Sequence, residues 1–266
     1  MVIKVGGNEL DDPNFVTGLA QLVAHKRQEL FDVVVVHGGG RFIEELQSRL
    51  ELPVHKVAGL RATCAESMQA VRMALIGIIG QDLCLAFQKK GIAAAALSAC
   101  SGLEGPCLLG RRISPSDPNC PHDDQGHPVD LGFVGRIQRV DTSLFRLLLE
   151  AGCVPVVAPP AIGNSEDGTT LWLNVNADDA AAALAAALEA QELTFLTNVA
   201  GVLQDGDPIK SIAAASIEGM IDSQVVSGGM IPKLRAAAKA VEGGVSMVRL
   251  GSLASLQSGG HTSITT

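Results

Sequence analysis

The chain has 266 residues, 47% of them hydrophobic, enough to bury a full core as one large domain or two closely packed lobes. A formal net charge of -8 and a pI near 5.2 leave no basic surplus for nucleic acid. The most apolar uninterrupted stretch, 180–188, is short and flanked by Asp179 and Glu189, so no membrane span is expected there.

Short β-branched runs bounded by glycine alternate with longer helical patterns, so the fold class is α/β with a mainly parallel sheet. A strand over 2–5 and a helix over 14–30 lead to a strand over 33–36 that is apolar at every position and therefore buried on both faces. Thr63 and Glu66 read as a capping box that opens a helix running to about residue 85, interrupted by Gly77 and Gly80. A strand over 93–97 follows. The segment 100–131 is rich in Gly, Pro, Asp and Ser and too long for a plain connection, so it reads as a flap of short strands and loop. After a helix over 142–151, a strand over 154–158 is ended by Pro159 and Pro160, the candidate lobe boundary. Beyond it come a hairpin up to 175, a helix over 177–190, a strand over 193–197, a loop, a helix over 231–243 and a strand over 247–250.

Six cysteines without CxxC or other zinc spacing, and no signal-peptide pattern, point to reduced thiols in a cytoplasm. Cys120 and His122 are a single pair and cannot close a tetrahedral shell, so no metal ligands are assigned.

Lys4-Val5-Gly6-Gly7-Asn8 stands where the first strand ends, and His37-Gly38-Gly39-Gly40 where the second ends and a helix begins. Ligands of parallel sheets bind outside the carboxyl ends of strands, where glycine lets backbone N–H groups approach an anion and a helix N-terminus adds positive charge. Each loop taken alone also reads as a mere tight turn. Ser227-Gly228-Gly229-Met230-Ile231-Pro232-Lys233 lacks P-loop spacing and the triple glycine lacks GxGxxG, which excludes a standard NTPase or dinucleotide fold. No GxSxG elbow or protein-kinase catalytic loop is present. Lys4 alone could be a snorkelling strand-end lysine. Lys233, however, opens a helix after a second glycine pair, and two lysines beside two glycine loops suit phosphate. In Asn174-Val175-Asn176-Ala177-Asp178 the aspartate is either a helix cap or a partner for those lysines.

These segments, with Gly59-Leu60-Arg61-Ala62-Thr63, Leu131-Gly132-Phe133-Val134-Gly135 and Thr197-Asn198-Val199-Ala200-Gly201-Val202-Leu203, occur in one order along nearly the whole chain. Together they resemble the amino acid kinase family, most closely its acetylglutamate-phosphorylating members. The resemblance implies a three-layer αβα sandwich whose N-terminal lobe, about 1–158, binds the acyl substrate and forms a homodimer, while the C-terminal lobe, about 159–266, binds ATP. Lys4 and Lys233 match the transition-state lysines and Asp178 the aspartate that orients them. Gly39, Gly40, Arg61 and Asn174 match substrate contacts, and Gly6, Gly7, Thr197, Asn198, Gly229 and Met230 fall in segments that line the nucleotide site. The implied reaction is ATP-dependent phosphorylation of the side-chain carboxylate of N-acetyl-L-glutamate in arginine biosynthesis, with Mg2+ carried on the ATP phosphates.

The chemistry suits that residue set. A carboxylate with an ordinary pKa of about 4.3 is already an ionised nucleophile, so no general base is needed, only cations and N–H groups that let two anions meet in line. Arg61 offers a planar fork for the substrate's second carboxylate. Two departures put substrate identity in question: Gly80 and Gln81 stand where the family has an Asn-Lys pair, and the 98–105 segment replaces a Ser-Gly-Lys-Asp-Gly loop. A kinase of carrier-protein-linked aminoadipate stays open, although its acidic partner needs a basic surface and only Arg111, Arg112, Arg136 and Arg139 cluster. A catalytically silent regulatory homologue is opposed by the three charged positions. The helix after Thr63 carries Val71, Leu75, Ile78 and Ile79 as the expected dimer surface, or as plain core. The first strand begins at Val2, so the resemblance implies no N-terminal helix of the kind that interlaces arginine-inhibited hexamers.

Overall fold

The computed structural model describes residues 1–57, 60–117, 120–123, 125–165, 167–204 and 206–266, with the main chain alone at Lys56 and Leu60. The first half runs β1 (Val2–Val5), α1 (Pro13–Gln28), β2 (Val34–His37), α2 (Gly40–Arg49), and a ribbon of β3 (His55–Val57) and β4 (Leu60–Ala62). A long helix follows, built of α3 (Ala65–Arg72), a π-helical stretch over Met73–Ile79, and α4 (Gly80–Gln88). Next come β5 (Ala94–Leu97), β6 (Leu108–Arg112), β7 (Val134–Val140), α5 (Ser143–Glu150), β8 (Val154–Val157), β9 (Ala161–Asn164), β10 (Thr170–Val175), α6 (Ala177–Ala187) and β11 (Glu192–Leu196). The last part holds β12 (Leu203–Gln204), β13 (Asp207–Pro208), β14 (Ser211–Ala213), α7 (Ile217–Asp222), α8 (Met230–Glu242), β15 (Met247–Gly251), α9 (Leu253–Ser258) and β16 (Thr262–Thr265).

Eight strands form one sheet in the order β14-β16-β15-β11-β1-β2-β8-β5, with β16 the one strand antiparallel to its neighbour β15. Period-two alternation sends Val2, Val34 and Val36 to a core shared with α6 and α8, and Ile3, Val5 and Val35 to a second core under α1 and the long helix. Burial on both faces explains why the 33–36 run is apolar at every position, and each such valine contributes about 1.5–3 kcal/mol. The result is the expected three-layer αβα sandwich. β1 lies between β2, from early in the chain, and β11, from late in it, so the carboxyl end of β1 is where both halves converge.

A small closed barrel, β10-β7-β6-β9, sits apart from the main sheet. Leu173 fills it, and a Cβ on Gly135 or Gly163 would come within 2.7 or 2.6 Å of the Leu173 Cδ1 atom. The flap expected over 100–131 thus contributes β6 to a barrel that also takes two strands from beyond Pro159 and Pro160.

Three expectations are corrected. Thr63 is not a helix cap: its hydroxyl donates to the Arg61 carbonyl, while Cys64 Sγ accepts from the Ser67 N–H and starts α3. Thr63 is drawn away because its own N–H is held by the Leu131 carbonyl, in a bridge with Gly132. Second, Val71, Leu75 and Ile79 are spent on the chain's own core, leaving Ile78, Met73 and Leu85 outward on that helix. Third, the long helix, not 180–188, is the most span-like segment. Its 24 residues include an apolar window of mean hydropathy 1.6, half of it buried inside the fold. Packing of Val71, Leu83 and Phe87 on the sheet accounts for that apolarity. The short elements α7, α9 and β16 are additional to those expected from the sequence.

Candidate active site

At the carboxyl end of β1, Lys4 Nζ lies 2.6 Å from Asp178 Oδ1, and Lys233 Nζ lies 3.0 Å from Asp178 Oδ2. Side chains of Lys4 and Asp178 are 6% and 7% exposed, so this is a buried ion triad. Local chemistry builds it. Asn176 is the cap of α6, its side chain accepting from the N–H groups of Asp178 at 2.7 Å and Asp179 at 3.4 Å. The aspartate is therefore released from capping and its carboxylate reaches both lysines. Burial pushes the Asp178 pKa up, but the charges and hydrogen bonds of Lys4 and Lys233 outweigh it and hold the group below its ordinary value. Lys4 is lowered, first by burial, with Asp178 opposing and Lys233 adding to the shift.

The two glycine loops pack backbone to backbone. A Cβ on Gly7 would strike the Gly40 nitrogen and the Gly39 carbonyl carbon, and Gly40 has a φ of +31°. Asn8 ties the loops together, its Oδ1 accepting from the Arg41 N–H at 3.1 Å. Opposite them, α8 begins at Met230 with Gly229 as its cap and no side-chain cap hydrogen bond, so its N-terminal end brings partial positive charge to Lys233.

These parts enclose a cleft of about 530 Å³. Its lining holds Lys4, Gly6, Gly7, Gly39, Gly40, Arg61, Asn174, Asp178, Thr197, Asn198, Gly229, Met230 and Lys233, which is every site residue the sequence suggested. Gly59 of the Arg61 motif lies outside the described residues. Arg61 donates from Nη1 to Gln47 Oε1 and from Nη2 to Glu44 Oε1, both at 2.8 Å, so α2 pre-orients its fork. Asn174 is held by its N–H on the Phe133 carbonyl and by its amide on the Thr63 hydroxyl at 3.1 Å. Thr63 thus positions a cleft residue instead of capping a helix. Asn8, Glu9, Ile43, Leu75, Val134 and Pro159 also line the cleft, and no site role is expected for them from the sequence. Asn8 was legible as the residue after the first glycine pair; Ile43 and Leu75 look like any core position until the helices are placed.

Among the described residues, no group of three or more His, Cys, Asp or Glu could hold a metal ion, and the Asp178 carboxylate is committed to two ammonium groups. The cleft sets cations and N–H dipoles around the fixed Asp178 carboxylate, with Glu9 also in its lining, an arrangement fitted to stabilise negative charge that develops between two bound anions.

The amino acid kinase family model matches residues 1–252. The chain is 41% identical over 264 residues to the acetylglutamate kinase of Chloroflexus aggregans, covering 99% of this chain and 96% of that one. It is also 41% identical over 247 residues to the acetylglutamate kinase of Methanopyrus kandleri, covering 91% of each. Among solved structures it is similar to smu.665 from Streptococcus mutans, with a TM-score of 0.78, 29% identity and coverage of 99% and 97%. The chain belongs to the amino acid kinase family. Within it, the chain is similar to proteins named acetylglutamate kinase.

Proposed function

We propose that the chain transfers the γ-phosphoryl group of ATP to the side-chain carboxylate of N-acetyl-L-glutamate, an acyl-phosphate step of arginine biosynthesis in the cytoplasm. The observation that carries this reading is the Lys4–Asp178–Lys233 triad at the meeting point of two glycine loops. In this reading residues up to about 158 hold the acyl substrate through Gly39, Gly40, Arg61 and Asn174. Gly6, Gly7, Thr197, Asn198, Gly229 and Met230 face the nucleotide, whose phosphates carry Mg2+ as part of the substrate. Lys4 and Lys233 flank the phosphoryl group in flight, and Asp178 sets the distance between them. A carrier-protein substrate is less well supported, because a chain of net charge -8 offers an acidic partner only the Arg111, Arg112, Arg136 and Arg139 group as a basic surface.

The test is ATP-dependent formation of a hydroxamate when acetylglutamate and hydroxylamine are supplied together. No hydroxamate from acetylglutamate, with product from another carboxylate, would overturn the substrate assignment. Arg61→Ala should raise KM for the acyl substrate on the order of tenfold or more while kcat changes less, since the lost contact is made equally in ground and transition states. An unchanged KM removes Arg61 from substrate binding.

We also propose an isologous homodimer through the outward face of the long helix, where Met73 is 52% and Leu85 50% exposed. Light scattering should give twice the chain mass, and Leu85→Glu should shift it to one. A monomeric wild type at working concentration would remove this interface.

A further inference from the structure

His37 ends β2 and leads into the 38–40 turn. It is fully buried, and burial holds its pKa down at about 4, so the ring is neutral near pH 7. Its Nδ1 lies 3.3 Å from the Gly38 carbonyl oxygen. That oxygen can only accept, which places the ring proton on Nδ1 and leaves Nε2 a bare lone pair. Among the described residues Nε2 has no hydrogen-bond partner. It faces the backbone of Gly80, the first residue after the π-helical stretch: a Cβ added there would sit 3.4 Å from Nε2, from Ala96 Cβ and from the Leu75 carbonyl oxygen.

A buried acceptor without a donor costs stability, so an apolar side chain of similar size would serve packing better. The imidazole must be kept for its other nitrogen. In a planar trans peptide the Gly38 carbonyl and the Gly39 N–H point in opposite directions, so a donor that holds the carbonyl also sets where that N–H points. Gly38 is held a second way, its own N–H donating to the Val5 carbonyl at 3.0 Å.

We propose that His37 is a positioning residue of the substrate loop: its Nδ1–H anchors the Gly38 carbonyl, which aims the Gly39 N–H for the substrate at the expense of an unpaired Nε2. This rests on the reading of Gly39 and Gly40 as substrate contacts. The experiment uses the full chain and three readouts. Nitrogen-15 shifts of the wild-type imidazoles, with His37 assigned by its loss in a variant, should show a ring protonated at Nδ1 only. His37→Leu should melt no lower than wild type, while KM for acetylglutamate rises about tenfold and the larger change falls on KM, not kcat. His37→Asn, whose amide can donate from nearly the same place, should recover most of that loss.

An Nε2-protonated ring in the wild type overturns the proposal whatever the variants do. So does an active wild type whose KM is unchanged in His37→Leu, or a Leu variant that loses melting temperature with KM intact. A wild type that makes no hydroxamate from acetylglutamate fails the substrate reading instead, and the control assay shows which has happened.

Discussion

Lys233→Ala should lower kcat by about a hundredfold or more, with a smaller change in KM for either substrate, as expected for loss of one electrostatic stabiliser of the transition state. Lys233 is the more exposed of the two lysines, 19% against 6%, and it sits in the first turn of α8. Asp178 keeps Lys4 as a counter-ion after the loss of Lys233, so the fold should survive, with a melting temperature lowered less than by loss of Asp178 itself. Lys4 remains on Asp178 at 2.6 Å, so the loss reports the phosphoryl-facing charge alone. Steady-state kinetics with saturating ATP and acetylglutamate decide the matter; near-normal turnover would sink the assignment of Lys233.

Asp178→Ala should be more damaging, because it acts on stability and on charge together. Removing one member of a buried ion network costs about 3–5 kcal/mol, since the partners are left without a counter-ion. Lys4 bears most of this: burial already lowers its pKa, and the Asp178 charge is the first influence that opposes the shift. Without the carboxylate its pKa falls further and the ammonium gives up its proton more readily. The alkaline limb of the kcat profile should then move to lower pH in Asp178→Asn, which keeps the side-chain shape and loses the charge. A variant with wild-type melting temperature and an unmoved alkaline limb would show that Asp178 does not hold Lys4 in its charged state.

Some of this protein was legible in its sequence because local chemistry dictates it. Strands flanked by glycine, apolar on both faces over 33–36, announce a parallel sheet with helices on each side. Glycine pairs at strand ends mark places where the backbone must come close to something, and Gly7 meets the Gly39–Gly40 backbone as that pattern requires. Lys4 and Lys233 stand close to glycine pairs in the sequence and Asp178 does not; 55 residues separate Asp178 from Lys233, and only the packing of α6 against β1 and α8 brings all three together.

What the sequence could not decide were choices among competing partners. Thr63 had the spacing of a cap, yet its neighbours in space are the Leu131 carbonyl and the Asn174 amide, so Cys64 takes the cap and Thr63 serves the cleft. Asp178 had the position of a cap, and Asn176 two residues earlier relieves it of that duty. Val71, Leu75 and Ile79 had the look of an interface, and the sheet claims them. Periodicity says that a helix has an apolar face, but the same spacing serves a core and a partner alike. Arg61 was legible as a cation, while its pairing to Glu44 and Gln47 depends on where α2 lies. Backbone preference is a property of a few neighbouring residues and so is written locally. Burial, charge pairing and the direction a side chain faces depend on atoms far away in the chain, and the tertiary structure alone supplies them.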